Sequence, residues 1–455
     1  MAHKGKKTKP TPEDLPLVHP HAAGIDVGAE EHWVCVPADR DVQPIQKFSA
    51  FTCDLYRLTD WLTTCRITTV VMESTGVYWI PLFQILEARG FAVALVNARH
   101  VKNVPGRPKT DRFDCRWLQK LHSYGLLAPS FRPPEHICQL RSLLRHRDNL
   151  LQMMVKHIQH MQKALDQMNL HLHHVISDVT GVTGMRILRA IVAGERDPHT
   201  LAQYRDYRIK SSLETIAKAL EGDYRSEHLF TLTQSLALYD FTQQQIADCD
   251  QEIERVLNTF EALVDPATHP LPPPTTTHRQ PQRNEPAFDL RTHLYRITGV
   301  DLTQVPGLQA PTIHVILAEV GLNRHKWPTE KHFASWLGLC PDNQISGGKV
   351  LATGSRRVQN RASRALRMAA QSLRTSPSYL GAFFRRMRSK LGPAKATTAT
   401  AHKLAKIIYH MLKEHTPYRE RSAKDYLHKD QERKIQQLRK QAKALGFTLV
   451  PQTSP

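Results

Sequence analysis

The feature that most constrains the fold of this chain is a long apolar repeat near its middle. Between residues 137 and 175 apolar side chains recur at alternating steps of three and four, and Arg147 is the only polar member. Because this spacing places its members on one helix face, it predicts a helix of about 39 residues, about 58 Å long. The series consists of Ile137, Leu140, Leu144, Arg147, Leu151, Met154, Ile158, Met161, Leu165, Met168, Leu172 and Val175.

A second, shorter repeat follows between residues 239 and 263. The two repeats are expected to pack either as an antiparallel hairpin within one chain or as a pair between chains. An apolar stripe of this length is costly to leave in water, at roughly 25 cal/mol per Å². We therefore predict a helical coiled-coil spacer over residues 135–263 and a homo-oligomer, a dimer or tetramer, held partly through it. The second repeat consists of Tyr239, Thr242, Ile246, Cys249, Ile253, Val256, Phe260 and Leu263.

The first part of the chain predicts alternating strands and helices, which is the pattern of an α/β domain. Four acids occur at defined places in this pattern. Asp26 interrupts the first, small apolar strand, and Glu73 ends a later one. Asp111 and Asp114 lie three residues apart at the start of a helix and so share one of its faces. The predicted strands cover residues 22–28, 32–38, 42–51, 68–73 and 92–97, and the predicted helices before Asp111 cover residues 54–64 and 80–89.

Four carboxylates on three different elements suit chemistry at a phosphodiester. Mg²⁺ prefers oxygen ligands from a few carboxylates, and two such ions about 3.5–4 Å apart stabilise the attacking and leaving oxygens. Taken singly, an Asp at a strand end is often a turn former, and Asp111 is equally a helix N-terminal acid favoured by the dipole. Independent turns and caps would seldom produce all four in this order. We therefore predict a metal site formed by Asp26, Glu73, Asp111 and Asp114.

Positive charge is concentrated late in the chain. The formal net charge is +20, and residues 345–413 contain 15 Lys or Arg and no Asp or Glu. A solvated surface normally mixes signs, whereas a surface of one sign suits phosphate contacts that release counterions. Anionic lipid is the competing partner, but no apolar run reaches the roughly 18–20 residues that span a bilayer, and no signal peptide is visible at the Lys-rich start. We expect a nucleic-acid-binding protein with no membrane segment.

The seven cysteines are scattered along the chain and form no Cys-x-x-Cys pair. This distribution is typical of a reduced, cytoplasmic protein. Without a cysteine cluster, histidine pairs such as His157 and His160 are better explained as a polar helix face than as zinc ligands.

A proline-rich stretch separates the helical middle from the basic part. Residues 265–286 contain seven prolines among Thr, Gln and Arg. Proline at this density excludes helix and central strand, so it predicts a linker and a domain boundary. We predict a basic disordered tail (1–20), the α/β domain (21–134), the helical spacer (135–263), the proline-rich linker (264–290), a mostly α-helical domain that contains Ser346 (291–415) and a basic helical tail (416–455).

A serine followed by two glycines lies at the start of the basic region. Ser346-Gly347-Gly348 has a permissive backbone that allows a tight turn, and several cations follow closely. A hydroxyl in this setting can attack phosphorus if its proton is removed and the developing charge is met by Arg or a metal. Taken alone, the motif is better explained as a plain turn. The candidate nucleic-acid-binding cations are Lys349, Arg356, Arg357, Arg361, Arg364 and Arg367.

Five motifs, taken together and in this order, resemble one family. They are Gly24-Ile25-Asp26-Val27-Gly28, Met72-Glu73-Ser74-Thr75-Gly76-Val77-Tyr78-Trp79, Lys109-Thr110-Asp111-Arg112-Phe113-Asp114, Val305-Pro306-Gly307 and Ser346-Gly347-Gly348. Their combination resembles the DEDD-type insertion-sequence transposases of the IS110 family, which are bridge-RNA-guided serine recombinases. The resemblance covers roughly residues 20–130 and 290–415.

This resemblance implies both a fold and an activity. The implied fold is an RNase H-like (RuvC-like) N-terminal α/β domain, a long coiled-coil spacer and a mostly α-helical C-terminal transposase domain. The resemblance implies that Asp26, Glu73, Asp111 and Asp114 bind Mg²⁺, and that Ser346 attacks DNA to form a covalent phosphoserine. The implied partners are target and donor DNA, a structured guide (bridge) RNA and further copies of the chain, at the nucleoid in the bacterial cytoplasm.

Two other functions stay open. One is a RuvC-type metal-dependent junction nuclease, in which water attacks, Ser346 is only a turn residue and no covalent intermediate forms. The other is a non-catalytic RNA- or DNA-binding protein on a relic fold, in which alanine at the acids leaves function intact. The proline-rich stretch, residues 350–358 and the tail from Pro417 onward depart from the family's compact pattern. These departures affect the register of the basic residues around Asn360 and Arg364.

Overall fold

The computed structural model describes residues 16–97, 110–274, 284–323, 326–356, 358, 360–420, 422–448 and 450. The chain forms two compact units that divide between Arg132 and Pro133, and each is described by itself. Among the predicted features, Arg357, most of the basic N-terminal tail and the centre of the proline-rich stretch lie outside the described residues.

In the described part of the N-terminal unit, five strands and three helices form a mixed α/β fold. They are β1 (Ala22–Val27), β2 (Glu31–Cys35), β3 (Ile45–Ser49), α1 (Thr52–Thr64), β4 (Thr69–Glu73), α2 (Trp79–Ala88), β5 (Ala92–Val96) and α3 (Asp111–Ser123). The strands lie in the order β3-β2-β1-β4-β5. The central strand β1 pairs antiparallel with β2 and parallel with β4. The predicted alternation is confirmed, although β2 and β3 are shorter than predicted.

Different helices cover the two faces of this sheet. On one face, Ile25 and Met72 share a core with Leu58 of α1 and Leu82 of α2. Successive strand residues point to opposite faces, so the residues next to these face the other way. On that second face Val71 packs against α3 through Leu118.

Gly24 determines how closely α3 approaches the sheet. A Cβ at this position would lie 2.3 Å from the backbone nitrogen of Gln119 and 2.4 Å from the backbone oxygen of Cys115. Neither atom can move without shifting α3, so we expect Gly24→Ala to lower the free energy of unfolding by about 3 kcal/mol. Urea denaturation measures this change. Gly354→Ala is the matched control because nothing lies within 4 Å of its Cβ position, and equal stability of the two variants would contradict this packing.

The long apolar repeat forms a helix, α4 (Glu135–Gln167), of 33 residues. The prediction of about 39 residues was wrong at the C-terminal end. Asn169 has a φ of 56°, a left-handed conformation that Asn tolerates and that a helix cannot continue through. The later members of the repeat, Met168 and Leu172, are fully buried in a core that Leu165 of α4 shares with several short helices that follow it. Tertiary packing has therefore overridden the heptad pattern at this point.

Short helices that follow α4 pack in this core against the C-terminal part of α4, and a second long helix follows them. The short helices are α5 (Leu172–Val175), α6 (Val182–Ala193), α7 (Pro198–Ala202) and α8 (Leu213–Ala219), and the long one is α9 (Ser226–Asn258), also of 33 residues. At one end of the pair the rings of His136 and Phe260 are 5.0 Å apart. At the other end the Asp223 backbone N–H donates to the Met168 carbonyl at 2.9 Å. The long helices therefore run antiparallel within one chain.

Of the two arrangements left open by the sequence, packing within one chain is the one observed. The Cys249 thiol donates to the backbone carbonyl of Leu143 at 3.7 Å, between the two long helices. The apolar stripe is thus buried without a second copy of the chain.

Arg147, the polar member of the first repeat, is explained by a buried ion pair between these two helices. Its guanidinium donates two hydrogen bonds to Asp250 of α9, one of them at 3.0 Å. A third bond runs to the backbone carbonyl of Asn284 at 3.1 Å. Both charged residues are more than nine-tenths buried. The pair therefore ties α4, α9 and the start of the following segment together.

The rest of the described chain is mostly helical, as predicted. Its elements are α10 (Leu290–Thr298), α11 (Ala310–Val320), α12 (Glu330–Trp336), β6 (Gln344–Ser346), β7 (Lys349–Ala352), α13 (Arg361–Ser372), α14 (Tyr379–Leu391), α15 (Pro393–Glu414) and α16 (Ala423–Ala444). Helices α12, α13 and α14 pack on α15, where the buried Tyr409 hydroxyl donates to the Trp327 carbonyl at 2.7 Å. Within the described ranges, no helix is both long and apolar enough to cross a membrane.

Candidate active site

The sheet brings two of the four predicted acids to one edge. Strands β1 and β4 are parallel neighbours, and Ile25 is in register with Met72. The next residues, Asp26 and Glu73, therefore lie side by side near the carboxyl ends of the two strands. Because side chains alternate along a strand, both acids point to the face on which α3 packs.

Helix α3 adds the other two acids from above this face. It runs antiparallel to β1, since Gln119 near its end donates to the Ala22 carbonyl at the start of the strand, at 3.4 Å. Its first turn, with Asp111 and Asp114, therefore lies towards the end of β1 that carries Asp26. A hydrogen bond with Cys35 and burial raise the pKa of the Cys115 thiol, and the nearby charge of Asp26 raises it further.

The four acids carry the oxygen ligands that a hard cation prefers, but their side chains do not lie close together. Asp111 is exposed and the other three acids are half-buried. Among the residues that the structure describes, no three His, Cys, Asp or Glu side chains are close enough to hold a metal ion. Like charges repel at short range, so closer approach of the carboxylates needs a neutralising cation. Oxygen donors of this kind are the ligands that Mg²⁺ and similar ions prefer.

Ser346 lies next to a tight turn in an exposed two-stranded hairpin. It pairs with Lys349 across the antiparallel strands β6 and β7. The two residues between them, Gly347 and Gly348, have φ values of 54° and 76°. A two-residue hairpin turn with positive φ at both positions is of the type I′ kind, for which glycine is favoured. The serine hydroxyl and the lysine ammonium therefore lie on the same face of the hairpin, as direct cross-strand neighbours.

The hairpin also presents three large apolar side chains to solvent. Ile345, Val350 and Leu351 are 62%, 54% and 69% exposed. A cluster of exposed aliphatic residues on a soluble surface commonly marks a place of contact. In this protein these exposed residues flank a serine.

Some of the predicted nucleic-acid-binding cations face solvent. Lys349 on β7 and Arg364 on α13 are exposed. Arg356 is exposed too, although it donates to the Ser335 carbonyl at 3.1 Å. Arg357 lies outside the described residues.

Two other cations of this group have partners within the fold. Arg361 forms an ion pair with Asp148 of α4 at 3.3 Å. Arg367 donates to the Gly338 carbonyl at 3.4 Å. Both are half-buried, so each has a structural contact that the sequence did not indicate.

Two family comparisons cover the elements that carry these residues. Residues 23–170 match the family model of DEDD transposases of the IS110 type. Residues 301–385 match the model of the transposase IS116/IS110/IS902 family. The chain belongs to the IS110 family of DEDD transposases. The first match contains all four acids and the second contains Ser346, so the transposase has both motif-bearing regions of its family. A search of curated proteins found no match.

Membership of this family establishes the enzyme class. The transposase acts on DNA in transposition, and the DEDD family normally uses a divalent metal. A RuvC-like fold is implied by the family for the mixed α/β sheet. The predicted resemblance to an IS110 transposase is thereby confirmed.

The transposase also has a basic groove that the sequence did not indicate. Arg141 and Arg145 of α4 line a cavity of about 200 Å³ together with Arg361 and Arg364 of α13. Glu319, which binds Arg145 at 2.9 Å, and Asp148 also line this cavity and partly offset its charge. The spacing of four residues between Arg141 and Arg145 shows that they share a helix face. Their convergence with residues more than two hundred positions away is visible only in the fold.

Proposed function

We propose that this transposase excises and inserts an insertion sequence by RNA-guided, Mg²⁺-dependent strand cleavage and exchange through a covalent phosphoserine. The observation that carries the proposal is the exposed hairpin, in which Ser346 lies opposite Lys349 beside a two-glycine turn. A nucleophile that attacks DNA must be open to the strand, and a cation beside it helps to bind the phosphate.

In the proposed reaction the Ser346 oxygen forms a bond to phosphorus and one DNA oxygen leaves as a hydroxyl. The serine proton passes to solvent, to which this residue is open. Lys349 holds a non-bridging phosphate oxygen and offsets the charge that develops there. In the second step the hydroxyl of another strand attacks the same phosphorus and releases the serine. Each step exchanges one phosphoester for another, so strands are rejoined without ATP.

The four acids, Asp26, Glu73, Asp111 and Asp114, are proposed to hold the Mg²⁺. When bound, the metal stabilises the attacking and leaving oxygens. The acids themselves supply oxygen ligands from two strand ends and one helix turn. Their position at one edge of the sheet supports this assignment.

The metal assignment is tested with labelled donor DNA on denaturing gels. Wild type should form a protein–DNA adduct in Mg²⁺ and none in EDTA. Asp26→Asn keeps the shape of the side chain but removes its charge, so we expect it to reduce the adduct by at least about a hundredfold. Asp39→Asn is the matched control in the same unit, since its side chain is 74% exposed.

Two results would contradict the proposal. Equal adduct yields from Asp26→Asn and Asp39→Asn would remove Asp26 from the metal site. Cleavage of the DNA without any adduct would favour the junction-nuclease alternative, in which water is the nucleophile.

The cations that face solvent are proposed to contact nucleic acid. Lys349, Arg356 and Arg364 can reach phosphates directly, and Arg357 belongs to the same stretch of sequence. Arg361 and Arg367 are proposed to act in the same surface while keeping their internal contacts. Guidance by a structured bridge RNA is tested by sequencing the RNA that co-purifies with the protein, which should contain one discrete species.

The predicted domains and assembly also remain proposals. We propose that the helical spacer of residues 135–263 acts as a coiled coil and that the protein works as a homo-oligomer, a dimer or tetramer. Phe230, Leu238 and Phe241 are exposed on α9 at helical spacing and supply an apolar surface for such contacts. We place this activity at the nucleoid in the bacterial cytoplasm.

A further inference from the structure

A cavity of about 690 Å³ opens at the foot of the hairpin that carries Ser346. Asn343 and Thr353, which flank β6 and β7, line one side of it. Phe383 of α14 and Ala394 of α15 line the other side. The proposed strand exchange assigns no role to this cavity.

The walls of the cavity combine apolar surface with a few groups that form hydrogen bonds. Leu339, Pro341 and Phe383 provide the apolar surface, and Asn343 and His402 provide donors and acceptors. Lys395 also lines the cavity, and none of the described lining residues is acidic. Small-molecule sites typically have volumes of about 300–1,000 Å³ and this mixture of groups. A nucleobase has matching chemistry, since its faces are apolar, its edge is polar and it is attached to a phosphate.

Phe383 is held in a fixed place at the wall of the cavity. The Lys403 ammonium lies 4.3 Å from the centre of its ring, and the ring of Tyr426 lies 6.4 Å away. Neither of these two neighbours lines the cavity. A half-buried ring that is supported from outside a cavity is suited to stack on a flat ligand within it. Stacking of this kind tolerates any base, because every base has a π-face.

The cavity lies at a suitable distance from the serine. Asn343 and Ser346 are three residue steps apart along β6, which is roughly 10 Å at 3.3 Å per residue. This is within the reach of a nucleotide or two from the phosphate under attack. The exposed Ile345 and Leu351 lie between the two positions, and aliphatic side chains of this kind can enter a base step and unstack it.

We propose that this cavity receives one nucleobase, unstacked from the DNA strand beside the phosphate that Ser346 attacks. The inference rests on the proposed function, because it requires the serine hairpin to lie on DNA. Capture of a neighbouring base fixes the strand at two points, the cavity and the hairpin. Fixing the strand in this way positions the phosphorus for in-line attack, which a flexible strand would not maintain.

The test uses the full chain and a single-stranded thymidine oligonucleotide that contains 5-iodouridine. Ultraviolet light should link the iodouracil to Phe383, and mass spectrometry should find the link in the tryptic peptide of residues 375–385. Fluorescence anisotropy should show that Phe383→Leu binds this strand about five- to tenfold more weakly. Phe51→Leu, at a 74% exposed position in the N-terminal unit, is the matched control and should bind as wild type does.

A second variant keeps the test decisive if Phe383→Leu folds poorly. Ala394 is exposed at the rim, so Ala394→Phe fills the cavity without disturbing the core, and it should cause the same loss of affinity. Wild-type affinity in Ala394→Phe, together with crosslinks at other aromatic residues only, would overturn the proposal. A serine adduct without a Phe383 crosslink would refute the cavity assignment alone. A Phe383 crosslink without any serine adduct would support the cavity and refute the proposed reaction.

Discussion

Ser346→Ala is expected to abolish the covalent capture of DNA while leaving DNA affinity within about twofold of wild type. The substitution removes one oxygen from an exposed hairpin, so the free energy of unfolding should change very little. It removes the only atom proposed to bond to phosphorus. Loss of a nucleophile typically lowers turnover by three orders of magnitude or more, to about a millionth in the best-studied case. Labelled donor DNA on denaturing gels measures the adduct, and anisotropy measures binding.

Further variants distinguish the role of the Ser346 hydroxyl from that of the neighbouring charge. Ser372→Ala is the matched control, because Ser372 is an exposed serine on α13 away from the hairpin, and it should form the adduct as wild type does. Lys349→Met should keep the nucleophile but slow adduct formation by about a hundredfold, the usual effect of losing one charge-stabilising group. Lys349→Arg should restore part of the rate. An adduct that survives Ser346→Ala would disprove the assignment.

The sequence predicted the elements of the N-terminal unit because its signals are local. Asp26 interrupts one short apolar run and Glu73 ends another, and runs of that kind form buried strands whatever surrounds them. The side-by-side position of the two acids follows from a parallel pairing of β1 with β4. No local pattern specifies that pairing, so the sequence could only imply it through the family resemblance.

The helical part shows where local patterns fail. The heptad repeat continues past Gln167 in the sequence, but the helix stops there because the chain turns at Asn169. Met168 and Leu172 then pack in a core that the long helix shares with the short helices. The repeat also could not decide whether its partner helix belongs to the same chain. A glycine next to a serine predicted the turn at Ser346, whereas the groove between α4 and α13 depends on contacts between residues far apart in sequence.

Arg147→Ala is expected to lower the free energy of unfolding of the C-terminal unit by about 3–5 kcal/mol. Arg147 is 7% exposed and its partner Asp250 is 3% exposed. Removal of the guanidinium leaves the Asp250 carboxylate buried, and among the described residues it keeps one donor, the backbone N–H of Ala287 at 3.4 Å. Urea denaturation followed by circular dichroism measures the change. The exposed pair of Arg189 and Asp240, which also joins α9 to another helix, is the matched control, and Arg189→Ala should cost less than about 1 kcal/mol.

A double substitution shows how much the intact ion pair contributes to the free energy of unfolding, apart from the loss that follows when only one partner is removed. Replacing Arg147 with Met and Asp250 with Leu removes both charges and keeps the apolar contact between α4 and α9. Such replacements are often neutral or stabilising by about 1–4 kcal/mol, so the double variant should be at least as stable as wild type. Arg147 also holds the Asn284 carbonyl, so the double variant should lose the anchor of the segment that leads into α10. Faster proteolysis after residue 284 with an unchanged free energy of unfolding would show that the pair mainly anchors this segment. A double variant that is much less stable than wild type would contradict this account of the ion pair.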